Sequence, residues 1–211
     1  MAEYELLQGL HIAPSPAGAY YAASSPLEDP ARSTLIRLLG QTESPAFRTD
    51  ALREITGLDD EQAALEHIYR LQDLGLVQGL PEGRHSPQGS LETALPGILA
   101  ELAGRGKALL ADEQGFYLAA HGFHHETAEE LAGLSADLGS LHTRHVGLLE
   151  GNLGLRTSAW ALINAGGASE VGFWPLFVGR YRFVLIIGGT PNLNQAATLD
   201  LIWMLFRRYG D

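Results

Sequence analysis

The chain has 211 residues, no cysteine, an apolar content of 45% and a formal net charge of -11. That length and composition suit one large or two small domains with real cores, and the missing cysteines exclude disulfides, thiol catalysis and cysteine-based zinc centres. The excess of carboxylates makes the whole chain a poor binder of polyanions, and its longest apolar stretches fall far short of the about 20 residues that span a bilayer.

The opening, MAEYELLQGLHIAP, has no basic segment followed by an apolar run. No signal peptide and a cytoplasmic location are therefore expected. Residues 1–26 are rich in Ala, Pro, Ser and Tyr and read as an N-terminal arm. Residues 17–21 are its one strand-like piece, and Tyr20 and Tyr21 are expected to pack on the body of the protein.

A compact helical unit is expected over residues 27–85. Asp29 and Pro30 open a helix carrying Leu35, Ile36, Leu38 and Leu39. Thr49 is placed to cap a second helix that stops at Gly57. Asp59 and Gln62 open a third, with Leu65, Ile68, Leu71 and Leu74 inward and Gly75 as its end. Residues 76–80 read as a short strand. Three helices followed by a strand resemble a winged-helix domain, with no second wing strand visible in PEGRHSPQGS. Residues 26–92 carry six Arg or Lys against twelve Asp or Glu, and the helix in the recognition position begins Asp59-Asp60-Glu61. Such a surface repels phosphates, so protein contact is favoured over nucleic acid. Pro, Gly and Ser residues then mark a boundary, with 86–92 as linker and 93–211 as the second domain.

In that second domain residues 93–103 read as a helix. Residues 107–111 and 115–120 form strands around a hairpin turn at Asp112 to Gly115. A long helix follows over residues 125–149, with Thr127 and Glu130 at capping-box spacing. Leu131, Leu134, Leu138, Leu141, His145 and Leu148 form one stripe on it, three and four residues apart. Beside that stripe runs a line of small residues, Ala128, Ala132, Ser135 and Gly139, where another backbone can approach. Strands are expected over 157–163, 171–178 and 181–187, then a final helix capped by Asn192 or Asn194. Its Leu199, Ile202, Trp203 and Phe206 face inward, and Arg207 and Arg208 suit its carboxyl end.

The order helix, two strands, helix, three strands, helix, together with KALLADEQGFYLAAHGF leading into HHETAEELAGLSADLGSL, resembles the roadblock (dynein light chain) family over residues 93–208. The resemblance implies an α+β fold: a five-stranded antiparallel sheet flanked by helices, here preceded by the small winged-helix-like unit. It implies a homodimer paired through the third strand, with Thr157, Ser158, Ala159, Trp160, Ala161 and Leu162 at the edge and the leucine stripe in the helix interface. It also implies a scaffold or regulator of small Ras-like GTPases, with no catalytic signature.

Chemical motifs are weak. His121, His124 and His125 precede the long helix, and His142 and His145 lie one turn apart near its end. In an antiparallel helix pair these could converge on an ion, but hydrogen-bonded or solvated histidines are the simpler reading. His125-Glu126-Thr127-Ala128-Glu129 lacks the second histidine of a metalloprotease helix, and Gly104-Arg105-Gly106-Lys107 precedes a strand, as a helix stop does. No metal or other cofactor is expected. Arg144 and Arg156 are candidate partner contacts that also suit an ordinary surface. The leading expectation is a non-enzymatic homodimeric adaptor or regulator of another protein. The second is a transcriptional regulator that dimerises or senses through its roadblock-like half.

Overall fold

The computed structural model describes residues 9–210, so the part of the expected arm and leader reading that falls on residues 1–8 lies outside the described residues. Residues 9–26 are not an arm. Strand β1 (His11–Pro14) pairs antiparallel with β2 (Val77–Leu80), His11 opposite Leu80 and Pro14 opposite Val77. Between them, helix α1 (Pro16–Ala23) starts at Ser15, whose Oγ accepts from the Gly18 N–H, with Pro16 in the first turn. Residues 17–21, read as strand-like, are therefore helical. Ala19, Ala22 and Ala23 are buried, and α1 lies so close to the turn before β2 that a Cβ on Gly18 would sit 1.9 Å from the Leu76 carbonyl oxygen. Small side chains make that approach feasible, and they also hide the segment from a search for large apolar residues. Tyr20 and Tyr21 do pack on the core, as expected.

Arg32 fixes the exit of α1. Its guanidinium donates to the carbonyls of Leu27, Tyr21 and Ala22, pairs with Asp29 at 3.4 Å and lies over the Tyr21 ring. Helix α2 (Pro30–Gly40) is capped by Asp29, as its sequence predicts. Helix α3 (Thr49–Thr56) has Arg48 rather than Thr49 at its cap, and the Thr49 hydroxyl donates to Glu61 instead. Gly57, at φ 72°, ends it. Helix α4 (Glu61–Asp73) is capped by Asp60 and buries Leu65, Ile68 and Leu71. Leu74, expected inward, is 68% exposed because it already lies on the turn after the helix.

The second half begins with α5 (Leu91–Ala103), capped by Ser90, two residues before its expected start. Strand β3 (Lys107–Asp112) and β4 (Tyr117–His121) form the expected hairpin. The Asp112 carboxylate accepts from the Gln114 and Phe116 N–H groups at 2.9 Å, and Gly115 supplies a φ of 90°. Helix α6 (His125–Arg144) and a π-helical turn (Gly147–Asn152) precede β5 (Trp160–Ile163), β6 (Ser169–Val178), β7 (Tyr181–Gly188) and α7 (Ala196–Tyr209). The five strands form one antiparallel sheet in the order β4-β3-β7-β6-β5. The fold class is α+β, as the sequence implies: a five-stranded antiparallel sheet with helices on both faces. Neither Asn192 nor Asn194 caps α7; Gln195 occupies that position without a side-chain bond.

Alternation along the strands splits the core. Leu109, Ala111, Phe173, Val184 and Ile186 face α6, whereas Leu110, Leu176, Phe183, Leu185 and Ile187 face α5 and α7. The second cluster continues into Leu35, Leu38 and Leu52 of α2 and α3, so one apolar body joins the two halves. Trp203, fully buried, donates from its indole N–H to the Gln41 carbonyl at 2.8 Å, Arg207 donates to the Gly40 carbonyl, and Arg84 pairs with Asp200 at 2.7 Å.

Candidate functional site

Helix α6 opens at His124, three residues before Thr127, and no side chain caps it; the capping box read at Thr127 and Glu130 does not form. The helix ends at Arg144, with His145 as its cap, and Leu148 belongs to the π-helical turn. The stripe of small residues is the one that meets the sheet: Ala128, Ala132 and Ser135 are its buried residues. The leucine stripe flanks that contact. Leu131, Leu138 and Leu141 are half-buried, while Leu134, His145 and Leu148 are exposed. A flat, densely packed sheet admits a helix more closely over Ala, Ser and Gly than over Leu, so the larger side chains are displaced to the flank.

Strand β5 is an edge strand. Among the described residues it pairs with β6 on one side only, Trp160 opposite Phe173 and Leu162 opposite Val171. Thr157, Ser158 and Ala159, assigned to the pairing strand from the sequence, lie in the irregular connection before it. Trp160 turns under α6, where its ring meets that of His142 edge-on at 6.3 Å. Leu162 and Ile163 are 58% and 66% exposed. Among the described residues β5 keeps an unpaired backbone edge with bare aliphatic side chains upon it, and Leu134, Val146, Leu148, Leu153 and Leu155 on the helix, the turn and the chain after it are exposed as well.

Between the C-terminal half of α6 and the sheet lies a cavity of about 220 Å³. Leu138, Phe173, Phe177 and Val184 make its apolar wall; His142, Trp160 and Arg182 supply polar atoms, with Glu150 and Arg156 also on the lining. Gly139 sits directly over the Arg182 guanidinium, where a Cβ would come within 2.3 Å of Nη1. Arg182 Nε, Trp160 Nε1 and His142 Nδ1 are all shielded from solvent and have no hydrogen-bond partner among the described residues. Leaving a buried donor unpaired costs about 1–3 kcal/mol, so three in one place is an unusual expense. Sequence reasoning singles out Trp160 and His142 but not Arg182, which it reads only as part of the strand over residues 181–187.

The other histidines are apart from this. His125 shares a 2.7 Å hydrogen bond with the Tyr117 hydroxyl and lies 3.5 Å from Glu129. Among the described residues no group of three or more His, Asp or Glu is placed to hold a metal ion. Gly104, at φ 54°, ends α5, and Gly106 faces the Gly188 carbonyl across β7, so that stretch is a helix stop leading into a strand. No described helix is long and apolar enough to cross a membrane.

No protein-family model and no curated protein matches the chain. Among solved structures it is similar to a Roadblock/LC7 domain from Streptomyces avermitilis, at 16% identity and a TM-score of 0.35 over 52% of this chain and 90% of that one. It is also similar to Myxococcus xanthus MglB, at 17% identity and a TM-score of 0.35 over 58% and 91%. The gliding protein MglB of Thermus thermophilus shows 19% identity and a TM-score of 0.37 over 59% and 93%. At these values the likeness carries no conclusion about what this chain binds.

Proposed function

We propose that this chain is a non-enzymatic regulatory adaptor that acts as a homodimer and binds another protein. The observation that carries this reading is, among the described residues, the free edge of β5 together with the uncovered aliphatic side chains of α6 and the turn after it. Antiparallel pairing of β5 with the β5 of a second copy would satisfy the unpaired backbone groups and cover Leu162, while the two α6 helices would cover each other's Leu134. The resemblance of residues 93–208 to roadblock proteins makes a small Ras-like GTPase the partner class of first choice. A chain of this kind would act on such a partner by ordering its switch loops, having supplied no nucleophile or metal centre itself. The helical unit of residues 27–85, with its acidic α4, would then be a second protein-binding surface, and the proposed working location is the cytoplasm.

Light scattering after size exclusion tests the first part. Twice the 22.7 kDa chain mass is expected, falling to the single chain in a Leu162→Arg variant that keeps its circular dichroism. A wild-type monomer at tens of micromolar would remove the dimer. Pull-down from host lysate with GTP against GDP tests the second, and retention of no GTP-dependent GTPase would remove that partner.

A further inference from the structure

We propose that the cavity under the C-terminal half of α6 is a binding site for a small organic acid with an apolar body. The unpartnered polar atoms of its lining residues are mainly donors, with the Glu150 carboxylate the one acidic group on the wall. An arginine Nε–H and an indole N–H have no acceptor capacity, and an imidazole nitrogen takes either role. Arg182, Trp160 and His142 all line this one cavity, and each carries a buried polar atom (Nε, Nε1 and Nδ1) without a partner among the described residues. Among the described residues Arg182 makes no ion pair, and with Arg156 it gives the lining two cations against the one carboxylate of Glu150. An unpaired guanidinium on the wall of an apolar cavity calls for acceptor oxygens with negative charge, which a carboxylate provides in planar, bidentate form.

The remainder of the lining selects the rest of the ligand. Leu138, Phe173, Phe177 and Val184 are apolar, which suits a hydrocarbon or aromatic body rather than a sugar or a nucleotide. The 220 Å³ available exceeds the roughly 150 Å³ of a cavity known to hold benzene, leaving room for a ring and a short acid side arm. Gly139 is a further sign of a built site. With no Cβ there, α6 passes over the guanidinium and holds it against the sheet; any side chain would push Arg182 away. Ser24 and Pro26, from the connection after α1, also border the cavity, so a ligand there would touch both halves of the chain.

The experiment uses the full chain with 3-phenylpropionate as probe and 3-phenylpropanol as its uncharged counterpart, by titration calorimetry. One acid per chain is expected, with the alcohol binding roughly tenfold more weakly or worse. Arg182→Gln should cost a similar factor. Gly139→Ala should do so too while leaving the thermal midpoint level or higher, because Ala favours a helix and the atom it displaces ends a flexible side chain. No saturable binding of the acid at millimolar concentration would overturn the proposal, as would equal affinity for the alcohol or binding that both substitutions leave unchanged. Light scattering on the same samples separates this from the dimer. Acid binding by a monomer sustains the site and removes the dimer; a dimer that binds no acid does the reverse, its cavity being filled by the second copy or by water.

Discussion

Two helices lie on opposite faces of one sheet and are buried to very different depths. Helix α7 hides Leu199, Leu201, Ile202, Trp203, Leu205 and Phe206 among α1, α2 and α5, whereas α6 buries only Ala128, Ala132 and Ser135. The difference comes from what each helix has above it. The N-terminal unit closes over α7, so large side chains are buried on several sides of it; among the described residues α6 has the sheet beneath and no second layer of elements above. Large apolar residues on a helix therefore identify burial only when a second layer exists to cover them.

The contrast can be broken most sharply at Trp203. Replacing it with Ala should cost about 3–5 kcal/mol, through both the cavity and the unpaired Gln41 carbonyl, read as a fall in urea midpoint. Gly18→Ala should come next, at about 1–3 kcal/mol or more, because the added methyl meets the backbone at Leu76 rather than a movable side chain. Ser90→Ala, which removes the α5 cap, should cost about 1 kcal/mol. On the other face, Leu134→Lys should change chain stability by no more than about 0.5 kcal/mol yet lower the mass seen by light scattering. If it unfolds the chain, α6 is covered from within and the two faces are alike after all.

A smaller effect is expected from pH. His67, on α4, has its imidazole 3.0 Å from the Thr34 hydroxyl, and burial first, then Arg70, lower its pKa below the usual 6.5. The unfolded chain therefore takes up a proton that the folded one resists. The contribution of His67 is present above pH 6.5 and is lost as pH falls from there through the folded value. Urea midpoints on either side of that window should fall toward acid in the wild type and fall less in His67→Gln.

The succession of elements past residue 90 was legible because each strand and helix has its own period and its own punctuation, such as the turn from Asp112 to Gly115. Ends were less legible. Thr127, Thr49 and Asn194 are good caps by type, but the helices begin elsewhere, since tertiary packing fixes where a helix starts and a cap adds only a fraction of the energy. Residues 9–26 were missed because Ala, Gly and Ser carry no apolar period of their own; their burial depends on β2 and α7, far along the chain. At the candidate site, Leu162 and Trp160 were visible as an edge strand. Arg182 was not, because only the structure shows that Gly139 sits above it.

The bond from the Trp203 indole to the Gln41 carbonyl spans 162 residues. During synthesis, α2 and α3 therefore leave the ribosome long before the side chain that fills the space against them exists. At a translation rate of about 5–20 residues per second, the early helices wait on the order of ten seconds or more with that apolar surface bare. A chaperone that shelters nascent chains has its natural opportunity in that interval, and it ends only when α7 docks.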